Sequence, residues 1–169
     1  MFEDEFSLSN TATLSSTWAP VGEQPTVSCK QSKKERVTGF GSLNPLTGQI
    51  VAGFAPKGNT ETFKKHLRAI LRAYKGIKKI IVYVDNVKFH HAKVLKFFLA
   101  AHPELEIRYL PAYSPDMNPV ERAWWYMRKK ITHNRYLSSI KERIAKFWQL
   151  FSHYLKPNEE LKNTCVINL

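Results

Sequence analysis

The stretch Arg108–Trp125, RYLPAYSPDMNPVERAWW, decides how the second half of the chain folds. Leu110-Pro111 ends a predicted strand, because proline cannot donate a hydrogen bond to a sheet ladder. A helix then begins, with Asn118 as its N-cap, Pro119 at the first helical position and Glu121 at the third. The stretch therefore predicts a strand, a proline-rich crossing and a helix with a sharply defined start.

Glu121 has two interpretations at this point. It is the returning half of a capping box with Asn118, or it is a carboxylate that binds a metal ion. The helix is predicted over Asn118–His133. At ~100° per residue, Glu121 and Arg128 lie together at the edge of its apolar stripe. That edge is where a site residue can lean over a sheet.

The composition indicates a nucleic-acid partner. The chain has 169 residues, enough for one domain with a real core, and its 26 Lys and Arg against 14 Asp and Glu give a net charge of +12. This excess favours a polyanion, with nucleic acid ahead of a membrane, over the alternative of a merely basic protein. Cys29 and Cys165 fit no metal spacing and are expected to be free thiols in a reducing compartment. No apolar run approaches the ~18 residues of a membrane span, and no signal peptide is recognisable.

Hydrophobic alternation predicts five strands. They are Met1–Leu8, Val37–Leu43 and Gln49–Ala55 joined by a turn, Ile77–Val84, and Glu104–Leu110. The run within Ile77–Val84 is continuously apolar, as expected of a central strand covered on both faces.

Pro25–Lys30 is a weaker strand candidate, and three further helices are predicted, at Thr60–Tyr74, His90–His102 and Leu137–Leu155. The order of elements predicts an α/β fold, a mixed five-stranded sheet of three antiparallel and then two parallel strands, flanked by helices. We expect one domain over 1–155 and a C-terminal tail over 156–169.

Three acidic residues fall where such a fold brings side chains together. Asp4 lies on the first strand, Asp85 follows the strand Ile77–Val84, and Glu121 begins a helix. Each also has a structural explanation: a solvated terminus for Asp4, a turn cap for Asp85 and a helix cap for Glu121. If the two strands are neighbours, the carboxylates suit Mg²⁺, and two such ions can activate a water or a 3′ hydroxyl against a phosphodiester.

Basic side chains provide candidate contacts to a nucleic-acid backbone. Those on the helix Thr60–Tyr74 are equally explained as an ordinary solvated face. The residues that we predict to bind DNA are Lys64, Lys65, Arg68, Arg122, Arg128 and Lys129.

Two motifs together resemble a known family. DNxxxH runs from Asp85 to His90, and LPxYSPxxNPxERxW runs from Leu110 to Trp124. They resemble the catalytic core of DDE transposases of the mariner-like superfamily, in its bacterial insertion-sequence branch. Asp4-Glu5, the WAPxG of Trp18–Gly22 and the GFGSLNP of Gly39–Pro45 fit as well, so the resemblance covers roughly residues 2–150.

The resemblance implies a ribonuclease-H-like fold, dependence on Mg²⁺ with Mn²⁺ able to substitute, and cut-and-paste DNA transposition. It implies that Asp4, Asp85 and Glu121 form the catalytic and metal-binding triad. Asn86, His90 and Asn118 would support it by orienting metal ligands or contacting DNA. The implied partners are transposon ends, target DNA and a second copy of the chain, in a bacterial cytoplasm at the nucleoid, with no membrane.

The family also carries N-terminal helix-turn-helix domains, and this sequence begins just before Asp4. We expect the second reading frame of a frameshifted element, a decayed copy or an excised domain, with an upstream-frame helix-turn-helix polypeptide as a further partner. Three functions therefore stay open: a transposase catalytic domain, a catalytically inactive DNA-binding relic or regulator of transposition, and a ribonuclease-H-like nuclease or resolvase.

Overall fold

The structure is a computed structural model that describes residues 1–27, 35–111 and 117–166. The described chain begins with three strands, then alternates helices and strands, and ends in three helices. In chain order the elements are β1 (Phe2–Ser9), β2 (Arg36–Asn44), β3 (Gln49–Ala55), α1 (Thr60–Ala73), β4 (Ile80–Val84), a 3₁₀ helix (Lys88–His91), α2 (Lys93–Ala100), β5 (Leu105–Tyr109), α3 (Val120–Ile131), α4 (Ile140–Ser152) and α5 (Glu159–Thr164).

The five strands form one mixed sheet in the order β3-β2-β1-β4-β5. The strands β1, β2 and β3 pair antiparallel, whereas β4 is parallel to both β1 and β5. This arrangement confirms the predicted fold class. It also confirms that the first strand and the strand before Asp85 are neighbours.

The sheet separates two hydrophobic cores. On one face α1 and α2 cover apolar side chains of β2, β4 and β5, with Phe63, Leu67 and Val82 completely buried. On the other face α3, α4 and α5 cover β1, β2 and β3. The alternation of side chains along β1 therefore sends Phe6 and Leu8 to the α3 face, and Glu3 and Glu5 to the opposite face.

Three predicted segments differ from the structure. Residues 25–27 form no strand, and the rest of the candidate Pro25–Lys30 lies outside the described residues, as does Cys29. The helix predicted at His90–His102 is split, because a 3₁₀ helix precedes α2. The tail after residue 155 contains α5, whose Leu161 is fully buried in the core beside the free thiol of Cys165. A helical turn was hidden there by its polar composition.

No helix among the described residues combines the length and the apolarity needed to cross a membrane.

The contact of α3 with the sheet depends on a glycine. Gly41 of β2 lies opposite Asp4 of β1, and a Cβ atom at this glycine would overlap the ring of Trp124 on α3. Trp124 is 2 % exposed, and its ring centroid lies 4.3 Å from that of Phe6. The indole thus fills the space that a side chain at position 41 would occupy.

We expect Gly41→Ala to lower the free energy of unfolding by roughly 1–3 kcal/mol, because the indole must move out of a packed core. Gly53→Ala is the matched control. Gly53 lies on the neighbouring strand β3, and a Cβ there would meet nothing within 4 Å. Urea unfolding of both variants measures the difference, and equal effects of the two substitutions would contradict this packing.

Candidate active site

The register of the parallel pair β1 and β4 places two carboxylates side by side. Phe2 pairs with Tyr83, and their rings stack with centroids 4.9 Å apart. Asp4 lies two residues after Phe2, and Asp85 lies two residues after Tyr83. Because side chains two residues apart share a face, both acids follow the same stacked pair. The adjacency predicted from the strand order is confirmed.

A third carboxylate joins these two. Ligand oxygens of Asp4, Glu5 and Asp85 all lie within 4.8 Å of one another. Sequence reasoning missed Glu5 as a site residue, although it directly follows Asp4 in the motif. The signal was weak, because strand alternation assigns Glu5 to the face opposite Asp4, and the two meet only at the end of the sheet.

Glu121 faces the same site from α3. It lines a pocket of about 420 Å³ with Asp4, Glu5, Trp124, Trp125 and Arg128. Its charge also contributes to the raised pKa of Asp4. Among the described residues, however, Glu121 belongs to no group of three side chains whose ligand atoms all lie within 4.8 Å of one another. Glu121 therefore shares the pocket but stands outside the tightest cluster.

The capping-box interpretation of Glu121 is wrong. The helix α3 begins at Val120, and Pro119 occupies the cap position without a side-chain hydrogen bond. Asn118 instead accepts a hydrogen bond from Val120 N–H at 3.2 Å, and its Nδ2 donates to the carbonyl of Glu3 at 3.0 Å. Asn118 is buried, so this amide fastens the start of α3 to β1.

Trp124 holds Asp4 from the same helix. Its indole Nε1–H donates to Asp4 Oδ2 over 3.1 Å. Helical periodicity predicts Trp124 on the apolar stripe of this helix, with Val120, Ala123, Met127 and Ile131, but it does not predict the polar contact to Asp4. One helix therefore positions Asp4 through Trp124 and contributes Glu121 one turn earlier.

His90 contacts Asp85 from the face of the sheet that α1 covers, opposite the α3 face. The side chain of His90 is fully buried, and its Nδ1 lies 3.1 Å from Asp85 Oδ1. Its Nε2 lies 3.3 Å from Glu5 Oε1 and 3.8 Å from Glu3 Oε2. The imidazole also packs on the ring of Phe63, with the two ring centroids 4.2 Å apart. His90 thus touches Asp85 directly. Asn86, another of the three predicted supporting residues, is exposed and hydrogen-bonded to His91.

Burial and mutual repulsion shift the ionisation of this cluster. Burial raises the pKa of Asp4 to about 7, and the charges of Glu5 and Glu121 add to the effect. Burial also raises the pKa of Glu3, which is completely enclosed with no hydrogen-bond partner for its carboxylate. Burial alone would lower the pKa of His90, but its hydrogen bonds to Asp85 and Glu5 outweigh burial and raise it to about 9. The hydrogen bond from His90 lowers the pKa of Asp85.

The donor set fits a hard divalent cation. Asp4, Glu5 and Asp85 offer carboxylate oxygens at close spacing, and such oxygens are the ligands of Mg²⁺ and Mn²⁺. Burial, and after it repulsion from Glu5 and Glu121, raises the pKa of Asp4, and a bound cation would offset both effects. Arg128 lines the pocket as a partial counter-charge, half-buried and with a pKa that burial lowers.

The six predicted DNA-binding residues divide between the two faces of the sheet. Arg122, Arg128 and Lys129 lie on α3, and Arg128 lines the pocket. On α1, across the sheet, Lys64 pairs with Glu61 at 2.7 Å and Arg68 lies over the ring of Phe98. The structure therefore brings Arg128 to the carboxylates and places Lys64, Lys65 and Arg68 across the sheet from them. Arg122 instead donates to the carbonyl of Val166, and Lys129 lies over the ring of Trp125.

Comparison with known proteins gives the family. The sequence profile of the DDE superfamily endonucleases matches residues 1–144, most of the chain. The chain belongs to this superfamily. A curated relative, the 39 kDa protein of insertion element IS630 from Shigella sonnei, is 27% identical over 145 residues. That alignment covers 86% of this chain and 42% of the relative. A Sinorhizobium fredii protein of uncharacterised function, y4pE/y4sA, is 29% identical over 96 residues, which are 57% of this chain and 68% of that protein.

Solved structures confirm the ribonuclease-H-like fold of this DDE endonuclease domain. The Mos1 transposase in a paired-end complex with its left transposon end matches with a TM-score of 0.69 at 16% identity, over 97% of this chain and 50% of that one. The Mos1 catalytic domain alone matches with a TM-score of 0.60 at 17% identity, over 95% of this chain and 72% of the other. Other matching Mos1 complexes were solved with Mg and with Mn.

In metal-free buffer we expect Asp4→Asn to become progressively more stable than the wild type between about pH 4 and pH 7. An acid whose folded pKa is raised contributes stability below its unfolded pKa, about 3.9, and loses it as the pH rises through the folded value. For Asp4 that folded value is about 7. Asparagine cannot ionise, so the variant does not lose this stability as the pH rises. Calorimetric melting of both proteins with EDTA measures the difference, and a difference that stays constant with pH would contradict the raised pKa.

Proposed function

We propose that this chain is the catalytic domain of a bacterial DNA transposase, a metal-dependent enzyme that cleaves and joins DNA strands. The proposal is carried by the observation that Asp4 and Glu121 line one pocket while carboxylate oxygens of Asp4 and Asp85 lie within 4.8 Å of each other, in a member of the DDE superfamily. Asp4, Asp85 and Glu121 are the proposed catalytic and metal-binding triad, with Glu5 as a further candidate ligand.

Mg²⁺ is the proposed ion, with Mn²⁺ as a substitute. When bound, a pair of such ions would activate the attacking water or 3′ hydroxyl and stabilise the leaving oxygen of the phosphodiester. The protein's part is to fix the carboxylates. Trp124 N–H holds one oxygen of Asp4, and His90 holds one oxygen of Asp85, so both acids are presented in a defined direction.

Transposition itself is proposed by analogy with relatives. The chain spans 42% of the length of the insertion-element protein, so end recognition would require other parts of such a protein or an upstream-frame helix-turn-helix polypeptide. The paired-end complexes of Mos1 transposase support the further proposal that two copies of this chain act together on two DNA ends. The bacterial relatives support action at the nucleoid in the cytoplasm. Light scattering of the chain with end-sequence DNA would test pairing, and a strictly monomeric complex would contradict it.

We expect Mg²⁺-dependent nicking of DNA by the wild type, lowered roughly 10³-fold or more in Asp4→Ala, Asp85→Ala and Glu121→Ala. Glu61→Ala is the matched control. It removes an exposed acid on α1, on the other face of the sheet, and should nick like the wild type. Gel assays of supercoiled DNA measure the nicked fraction.

The outcomes of this assay separate the three functions. If the wild type and the triad variants bind DNA equally and none nicks it, the chain is a DNA-binding relic or regulator. If the wild type nicks but never joins a free 3′ hydroxyl to a second DNA, the chain is a nuclease. Joining that disappears in the triad variants supports the transposase.

The basic residues on α1 and α3 are proposed to contact DNA backbone at different places. We expect the double variants Arg122→Ala/Lys129→Ala and Lys65→Ala/Arg68→Ala each to weaken binding and to reduce the slope of log K against log salt by about 1 per lost phosphate contact. Fluorescence anisotropy at several salt concentrations measures the slope. A set whose removal leaves the slope unchanged does not contact DNA.

A further inference from the structure

Two adjacent tryptophans on α3 have opposite environments. Trp124 is 2 % exposed and packs against the sheet, whereas Trp125 is 56 % exposed. Trp125 follows Glu121 by one helical turn and precedes Arg128 by another, so the three side chains share a face of the helix. All three line the pocket that contains Asp4 and Glu5. Trp125 is therefore the exposed aromatic wall of the carboxylate pocket.

The environment of Trp125 suits a nucleic acid more than an apolar partner. The Nζ atom of Lys129 lies 5.2 Å from its ring centroid, and Arg128 stands beside it in the pocket. Lys129 makes a cation–π contact over one face of the indole. A base can stack on the opposite face, or displace the flexible lysine, while Lys129 and Arg128 supply positive charge for the adjoining phosphate. The pocket floor is acidic, which would repel a phosphate or a nucleobase carbonyl in the absence of those cations.

We propose that Trp125 is a stacking platform for one nucleobase next to the phosphodiester that enters the carboxylate pocket. This inference rests on the proposed function, because it takes DNA as the ligand of the pocket. Within a duplex both faces of a base are covered by its neighbours. The base on Trp125 is therefore one that has left the stack, at a nick, a strand end or a distorted step. Stacking on an aromatic ring tolerates any base, so Trp125 would position the strand without reading its sequence.

The test is a double-mutant cycle that combines a substitution of Trp125 with the removal of one base from the DNA. Trp125→Leu keeps apolar bulk but removes the π face, and Trp125→Phe keeps a smaller one. The probe is a nicked synthetic duplex in which a single abasic site is scanned through the positions on either side of the nick. Affinity is measured by anisotropy with Ca²⁺ in place of Mg²⁺. Nicking of supercoiled DNA is measured separately with Mg²⁺.

We expect Trp125→Leu to weaken binding to the intact probe by roughly 5- to 150-fold, with Trp125→Phe closer to the wild type. At one probe position the abasic site should weaken the wild type by a similar factor and leave Trp125→Leu unaffected, because the base and the ring are lost as one contact. Trp148→Leu is the matched control. Trp148 is 45 % exposed on α4 and lines a different cavity, with Phe54 and Lys65, so it should show no such coupling.

The outcomes keep this inference apart from the proposed function. Equal binding by Trp125→Leu and the wild type, or additive effects at every abasic position, would overturn the stacking site even if the wild type nicks DNA. Coupling at one position without any nicking would support the stacking site while the nuclease proposal fails. Circular dichroism of each variant excludes misfolding, which would weaken binding to all probes alike.

Discussion

The structure depends on the seating of one indole in the space above a glycine. Trp124 fills the volume that Gly41 leaves open on β2, packs on Phe6 of β1 and donates its N–H to Asp4. Together with the hydrogen bond from Asn118 to the Glu3 carbonyl, this contact sets the position of α3 on the sheet. Because Glu121 lies one turn earlier on the same helix, the contact also sets where Glu121 points. Trp124 therefore belongs to both the hydrophobic core and the active site, and a change in the packing around it also shifts Asp4 and Glu121.

The second constraint is the concentration of negative charge at one end of the sheet. Four acids, Glu3, Asp4, Glu5 and Asp85, lie on or directly beyond two paired strands in a protein with a net charge of +12. A structure with this arrangement is destabilised by repulsion unless cations enter it. His90 supplies one buried contact from the α1 face, and Arg128 supplies a partial one from the α3 face. The remaining imbalance is a physical reason for metal dependence.

Much of this architecture could be predicted because it follows from local patterns. Proline placement and hydrophobic alternation gave the strands and α3, and the strand order placed Asp4 beside Asp85. The partners of these acids could not be predicted in the same way. Glu5 lies 80 residues before Asp85 in the chain, and only the three-dimensional packing brings it beside Asp85 and His90. The family resemblance indicated a supporting role for His90, five residues after Asp85, but not its contacts to Asp85 and Glu5.

Other failures have equally specific causes. Pattern analysis placed the helix start one residue too early, because the buried amide of Asn118 bonds to β1 as well as to the helix. The polar residues of α5 concealed the two buried side chains, Leu161 and Cys165, that dock it on the core. Helical periodicity already placed Trp124 on the apolar stripe of α3, but it did not reveal that Trp124 donates to Asp4 or that the exposed Trp125 lines the carboxylate pocket.

The central claim is that Asp4, Asp85 and Glu121 hold divalent cations in one site. Anomalous diffraction from crystals of the chain soaked in Mn²⁺ tests it most directly, because the scattering locates the ion without any assumption about activity. The account predicts an anomalous peak within coordination distance of carboxylate oxygens from Asp4 and Asp85, with Glu121 reached by the same ion or by a second one. A peak confined to Glu3, Glu5 and His90, or no peak at saturating Mn²⁺, would contradict it.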